Sequence, residues 1–311
     1  MEIRIYNDFD SFPTEKGRLY TMETEDGSAS VINHVFDEGF VVNRMDFETS
    51  YLTNQDRIGE MDYLMIYVTL MGRLDMGLGD NMTSRLLGTA CIYHPSGMRC
   101  HMKIPSGRHI GLAIGLNIST FELSESSEGD LSFNEMVEQL MERYVPYQRI
   151  HLNNREMVDI YMMWNHLEHG HDPVIIHRLV SDFVLSLYSS VEGRDLDRDI
   201  PSSHRYEDLL CNTLISDRDG RLDIKGLCNT MGVDRYDMCA RFSNVYGRTP
   251  YAFYKYHRMV KAASMIGLGD ASIGDVALNV GYSNESKFAE AFRREFGCRP
   301  KHFKTVLDQP F

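Results

Sequence analysis

Residues 272–300 read SIGDVALNVGYSNESKFAEAFRREFGCRP, and residues 223–250 read DIKGLCNTMGVDRYDMCARFSNVYGRTP. In the later stretch Ile273, Val276 and Ala277 fall at i, i+3 and i+4, the stripe of an amphipathic helix. Ser272 with Asp275 resembles a capping box at its start, with Asp in place of Glu. Gly281 follows the last helical residue, where a left-handed cap favours a residue without a Cβ. Ser283 can cap a second helix whose buried face is Phe288, Phe292 and Phe296, and Gly297 stops it. Two short helices about a glycine turn form a helix-turn-helix, whose second helix enters the major groove of DNA. The bland alternative is a helical hairpin within a bundle.

The earlier stretch separates the two readings. Ile224, Leu227, Cys228 and Gly232 recur 49 positions on as Ile273, Val276, Ala277 and Gly281. Phe242, Tyr246, Gly247 and Pro250 recur 50 positions on as Phe292, Phe296, Gly297 and Pro300. The offset grows by one just after the glycine, as one extra turn residue would make it. Two copies of one supersecondary unit, in register, favour DNA binding over a bundle. A longer helix joins them: Thr249 can cap it, Pro250 suits its first turn, and it runs through Arg258 and Ala262 to Gly267 and Gly269. About 17 residues rising 1.5 Å each span roughly 25 Å. With the bodies of the two motifs added, this approaches the roughly 34 Å between successive major-groove segments.

On these residues, 222–304 resemble the DNA-binding domain of the AraC/XylS family of bacterial transcription regulators. The second unit carries the resemblance in Ile273, Val276, Ala277, Val280, Gly281, Tyr282, Phe288, Ala291, Phe292, Arg293, Arg294, Phe296, Gly297 and Pro300. The first carries it in Leu227, Met231, Gly232, Met238, Phe242, Gly247 and Pro250, and the linking helix in Arg258 and Ala262. The resemblance implies two helix-turn-helix units on adjacent major grooves of double-stranded promoter DNA. It also implies activation through RNA polymerase, and an N-terminal sensor that answers a small-molecule effector. The groove-facing positions are then Arg235, Tyr236, Cys239 and Ala240 in the first unit. In the second they are Asn284, Glu285, Ser286, Lys287, Ala289, Glu290, Arg293 and Arg294. Several depart from the family pattern. Cys239 and Ala240 are short where long polar groups are frequent, Arg241 replaces an apolar residue, and Ala289 and Glu290 replace Ser/Thr and Arg/Lys. Glu290 can accept from cytosine N4, but it also repels phosphate. These departures leave room for a different reading, a regulator that acts mainly by protein contact.

Charge divides the 311 residues in the same way. The net charge is −13, yet residues 201–311 carry 16 Lys+Arg against 13 Asp+Glu, and the remainder 16 against 32. Only the C-terminal segment gains from releasing counterions at phosphates, while the acidic remainder supports solubility. No apolar run approaches the ~20 residues that span a bilayer, and no signal peptide precedes the fold, so the chain is expected to be cytoplasmic and off the membrane. Six scattered cysteines fit a reduced compartment rather than a disulfide framework.

The expected fold is α+β: an N-terminal cupin-like antiparallel β-barrel with a helical hairpin, then an all-α domain holding the two units. Residues 1–191 form the sensing and dimerisation domain, 192–203 the linker and 204–311 the DNA-binding domain. Candidate strands are Ser30–Phe36, Val41–Phe47, Leu64–Leu70, Leu86–Tyr93 and His109–Asn117, separated by Gly- and Asp-containing turns. The stretch Gly88–His101 resembles the second motif of cupin barrels. Tyr67, Tyr93, His94, Met98 and His101 are candidate ligand contacts, with His94 or His101 as the polar anchor. Residues 132–144, 154–169 and a stretch from Pro173 read as helices. Apolar stripes on the last two make a homodimer face plausible, through Trp164, Leu167, Leu179 and Phe183.

A metal-dependent cupin enzyme is the competing function. His94, Cys100, His101 and His109 invite it, as does a second cluster of His166, Glu168, His169, His171 and His177. Metal cupins carry a His-x-His and a carboxylate on an early strand, where this chain has only His34 near Asp37 and Glu38. A zinc site also needs three or four converging ligands. The sequence therefore predicts no metal, no cofactor and no catalytic set.

Overall fold

The computed structural model describes residues 9–14, 17–36, 39–57, 62–78, 81–94, 99–105, 107–123, 133–143, 149–170, 172–189, 196–197, 205–217, 223–246, 248–269 and 271–307. Within them the chain forms an antiparallel β unit and a helical unit. Met98 and most of the expected linker lie outside the described residues.

The β unit runs β1 (Asp10–Thr14), β2 (Gly17–Thr24), β3 (Gly27–Phe36), β4 (Phe40–Glu48), β5 (Tyr51–Arg57), β6 (Tyr63–Leu78), β7 (Asn81–Leu86), β8 (Thr89–Tyr93), β9 (Arg99–Lys103) and β10 (His109–Asn117). Then come α1 (Phe133–Arg143), β11 (Arg149–His151), α2 (Asn154–His169), α3 (Pro173–Ser189) and β12 (Leu196–Asp197). One sheet has the order β1-β2-β3-β4-β10-β6-β8-β11-β12. In the second, β5 pairs with β9, and β9 and β7 both pair with the far half of β6. The sixteen-residue β6 thus serves both sheets.

Side chains alternate along each strand, so residues two apart share a face. Ala29 and Val31 of β3, Met45 and Phe47 of β4, Met65 and Tyr67 of β6, and Cys91 and Tyr93 of β8 all enter one core. Leu52, Leu74, Met76 and Met102 reach the same core from the second sheet. Two antiparallel sheets facing one core is the double-sheet solution that cupin-type barrels use.

The expected strands are present, with one division. The stretch Leu86–Tyr93 is the end of β7, a turn at Gly88 with φ 75°, and β8. A positive φ there is accessible to glycine at little cost. Strands β1, β2, β5 and β9 were not expected, because polar and charged residues interrupt their alternation.

The helical unit holds α4 (Arg205–Ser216), α5 (Ile224–Met231), α6 (Arg235–Tyr246), α7 (Pro250–Leu268), α8 (Ile273–Asn279), α9 (Glu285–Phe296) and α10 (Pro300–Leu307). It also takes in Asn153–His166, so the first three turns of α2 pack with it, while Leu167–His169 belong to the β unit. The expected dimer stripe on α2 and α3 needs correction. Leu167, Leu179 and Phe183 are at most 2% exposed within the single chain and therefore fill its core. Trp164 is half-buried.

Candidate nucleic-acid interface

Each helix-turn-helix is set by caps. In the first, Asp223 accepts from Gly226 N at 2.9 Å to start α5. Gly232, at φ 67°, ends that helix, its N–H reaching Asn229 O at 3.1 Å. Asp234 then accepts from Tyr236 N at 2.8 Å and Asp237 N at 3.1 Å, opening α6. Met238, Phe242 and Val245 turn inward. Arg235, Tyr236 and Ala240 are exposed, Tyr236 by 85%, and Cys239 is half-buried.

The second unit repeats the arrangement. Ser272 accepts from Asp275 N at 3.1 Å, as the sequence predicts. Its hydroxyl also donates to the Asp275 carboxylate at 2.6 Å. Gly281 turns the chain at φ 77°. The cap of α9 is Asn284 rather than Ser283: Asn284 Oδ1 accepts from Lys287 N at 2.9 Å. Asn is as good a cap as Ser, so the residue nearer the helix takes the role. Phe288 and Phe292 are fully buried. Phe296 is half-buried, with its ring centroid 4.7 Å from Phe292 and 5.2 Å from Phe303. Glu285, Ser286, Lys287, Glu290, Arg293 and Arg294 are exposed beside half-buried Ala289.

The helix between the units begins as expected: Thr249 Oγ1 accepts from Ala252 N at 3.4 Å, with Pro250 in the first turn. Arg258 of α7 holds the turn of the second unit. Its guanidinium donates to the Val280 carbonyl and lies 4.6 Å from the Tyr282 ring centroid and 5.1 Å from that of Tyr254. The Tyr254 hydroxyl donates to Asp217 at 2.6 Å. Burial raises the Tyr254 hydroxyl to about 12, and the hydrogen-bonded Asp217 adds to the shift.

The departure at Arg241 has a structural reason. Its guanidinium donates to Glu207, a fully buried carboxylate of α4, and lies 3.4 Å from Asp237. One turn on, the Tyr246 hydroxyl donates to buried Asp208 at 2.6 Å, and burial raises that hydroxyl well above its usual value. Two buried carboxylates of α4 thus fix the back of α6. The front of α9 differs. Arg294 pairs with Glu290 at 3.0 Å, both well exposed, while Arg235, Lys287 and Arg293 carry no ion pair among the described residues. Such free cations suit phosphate oxygens.

In the β unit the candidate ligand contacts Tyr67 and Tyr93 are buried residues of the core. His94 lies half-buried one residue beyond β8, and His101 is placed only by its backbone, opposite Thr53. The polar group that meets Tyr67 is instead His109 of β10, fully buried, with Nε2 2.7 Å from the Tyr67 hydroxyl. Among the described residues no three His, Cys, Asp or Glu side chains gather as a metal would need. From the second cluster, His177 bonds to the Glu122 carbonyl at 2.7 Å and stacks on Phe40, and Glu168 pairs with Arg44 at 3.3 Å. No described helix is long and apolar enough to cross a membrane.

Comparison with known proteins singles out the helical unit. Residues 227–305 match the family model of a helix-turn-helix domain. The chain is 30% identical over 81 residues to the HTH-type transcriptional regulator AlkR of Acinetobacter baylyi, 26% of either chain. It is 35% identical over 68 residues to the HTH-type transcriptional regulator ExsA of Pseudomonas aeruginosa, 22% of this chain and 24% of that one. The match thus spans about a quarter of each relative. Fatty-acid-bound ToxT from Vibrio cholerae aligns over 86% of this chain and 96% of its own, at 15% identity and a TM-score of 0.35.

Proposed function

We propose that this chain, whose residues 227–305 match the family model of a helix-turn-helix domain, is a DNA-binding transcription regulator of the AraC/XylS kind, acting in the cytoplasm. The observation that carries the reading is the pair of capped units in register. Each turns its apolar face inward and leaves a polar, partly cationic helix face outside. Arg235 and Tyr236 of α6 and Lys287, Glu290 and Arg293 of α9 are the groups best placed at base edges and phosphates. Asn284, Glu285, Ser286, Ala289 and Arg294 border them, as do Cys239 and Ala240 on α6.

A small-molecule effector would enter the β unit. Support comes from a core rich in Met and Tyr, whose side chains can repack, with a buried polar contact between Tyr67 and His109. Such a ligand regulates only if it binds the DNA-competent and incompetent states differently. A contact with RNA polymerase, of the sort an activator makes, would fall on exposed residues of the helical unit such as Leu278 on α8. A homodimer would use exposed residues such as Val174 on α3, with half-buried Trp164, in place of the core residues of the hairpin.

The test is a mobility-shift assay with the full chain and promoter fragments, including the region upstream of its own reading frame. Affinity should fall steeply as salt rises. Absence of any shift at low salt, with candidate effectors present, overturns the reading.

A further inference from the structure

A helix outside the matched domain is bonded to the elements that space the two units. Asn153 and Glu156 cap α2 reciprocally: Asn153 Oδ1 accepts from Glu156 N at 3.0 Å, and Glu156 Oε2 from Asn153 N at 2.8 Å. From that fixed start Asn154, Tyr161 and Asn165 follow at i, i+7 and i+11, along one side of the helix. Each ends on a different anchor. Asn154 Nδ2 donates to the Glu295 carbonyl at 3.0 Å. The Tyr161 hydroxyl meets His257 Nδ1 at 3.1 Å. Asn165 Nδ2 donates to Ser264 Oγ at 2.6 Å.

Tyr161 and Asn165 are four residues apart on α2 and their partners His257 and Ser264 seven apart on α7, in the same order, so the two helices run in the same direction through this contact. Glu295 closes α9, the second recognition helix, and its carboxylate stands 3.5 Å from Arg248 at the exit of the first unit. The Arg248 guanidinium in turn lies 4.1 Å from the centroid of the Tyr256 ring on α7. The linking helix, the end of α9 and the exit of α6 therefore meet beside α2.

We infer that Asn154, Tyr161 and Asn165 are positioning residues for DNA binding, with α2 a third component of the two-unit domain. The inference rests on the DNA-binding reading above. When one unit is seated on a duplex, the other binds intramolecularly, at an effective concentration set by the stiffness of what joins them. Holding α7 and α9 in place before binding removes part of the ordering cost. Apolar packing alone can slide by a rotamer. Three directional hydrogen bonds fix the register of α2 on its partners. The same helix continues into Leu167–His169 of the β unit, so it is covalently shared by both units.

The experiment uses the full chain and a duplex that the wild type enriches from a random-sequence pool. A second duplex has one of the two contacted segments scrambled. Asn165→Ala, Ser264→Ala, the double variant and Tyr161→Phe are compared with wild type. Each single variant should weaken binding to the intact duplex by about two- to ten-fold, the range of one hydrogen bond. The double variant should lose no more than the larger single loss, since both remove one contact. Binding to the scrambled duplex should be the same for all. Unchanged affinity for the intact duplex overturns the inference. So does an equal loss on both duplexes, which is what general destabilisation gives, and so does tighter binding. Should Asn165→Ala fail to fold, Tyr161→Phe, which removes only a hydroxyl, and Ser264→Ala decide the matter. A wild type that enriches no duplex overturns the DNA-binding reading itself and the inference with it. A wild type that binds while the variants bind equally well overturns the inference alone.

Discussion

Arg241 and Arg293 sit on α6 and α9, the second helices of the two units, and do opposite things. Arg241 faces a carboxylate with no access to water, whereas Arg293 is exposed and carries no ion pair among the described residues. Removing Arg241 leaves Glu207 a buried acceptor without its charge partner. Arg241→Met should therefore lower stability by about 1–3 kcal/mol, seen as a lower melting temperature. Arg293→Ala should leave melting unchanged, weaken DNA binding across sequences and reduce the salt slope by about 1. A stability loss from Arg293→Ala would place that side chain in the fold instead. Glu290 has a partner on its own helix, Arg294, at 3.0 Å on the exposed face. An exposed i, i+4 pair contributes only about 0.3–0.5 kcal/mol, so DNA can take Arg294 away easily, leaving Glu290 close to phosphate. Glu290→Ala should tighten binding to all duplexes alike. Loss of preference at a single base pair, with other positions unaffected, would instead assign Glu290 to cytosine.

Elements differ in how far local sequence determines them. The first unit ends α5 at Gly232, φ 67°, where a Cβ would meet nothing within 4 Å. Gly232→Ala should thus cost only the backbone strain of a left-handed residue, about 1–2 kcal/mol, measurable by denaturant unfolding. That turn was legible because cap, glycine and apolar stripe all lie within one short window. The same holds for α8, the start of α7 and the full extent of α2, and for the buried face of α9, whose cap is Asn284 and not the expected Ser283. What could not be read is what α2 packs on. Asn154 and Asn165 look like solvent-facing residues on a helix whose stripe is Met157, Ile160 and Leu167, and their partners are 141 and 99 positions away. The Tyr67–His109 contact was hidden for the same reason: two strands 42 positions apart in sequence bring it together. Burial of the α2 partner also has a pH signature. His257 is lowered to about 4, first by burial and then by the nearby Lys261 charge, with the Tyr161 hydroxyl facing it from α2. The unfolded chain takes up this proton near its usual 6.5, the folded chain only near 4. The contribution of a neutral His257 is complete above pH 6.5 and is lost as pH falls toward 4. His257→Gln should flatten the melting-temperature profile over that window relative to wild type. Parallel profiles would mean that the ring does not titrate there.

At the scale of the whole molecule, the two charge balances compete over distance. Residues 201–311 have a small positive excess, while the whole chain carries −13. At physiological salt the screening length is about 8 Å, so a duplex would feel mainly the cations it touches, which on the proposed reading include Lys287 and Arg293. At 0.01 M it is about 30 Å, comparable with a small domain, and the acidic remainder enters the sum. Attraction at the contact and repulsion from the rest then grow together as salt falls. For a duplex of arbitrary sequence, the logarithm of affinity should rise linearly as salt is lowered from about 0.2 M, with a slope set by the phosphates contacted. It should flatten as the screening length exceeds the size of the contact. A specific duplex, held also by base-edge contacts, should flatten in the same way from a higher affinity. Titrating both duplexes against the full chain between 0.01 and 0.2 M salt checks this directly. A nonspecific line that stays straight to the lowest salt would show that the acidic residues do not act on DNA at all. The net charge would then bear on solubility alone.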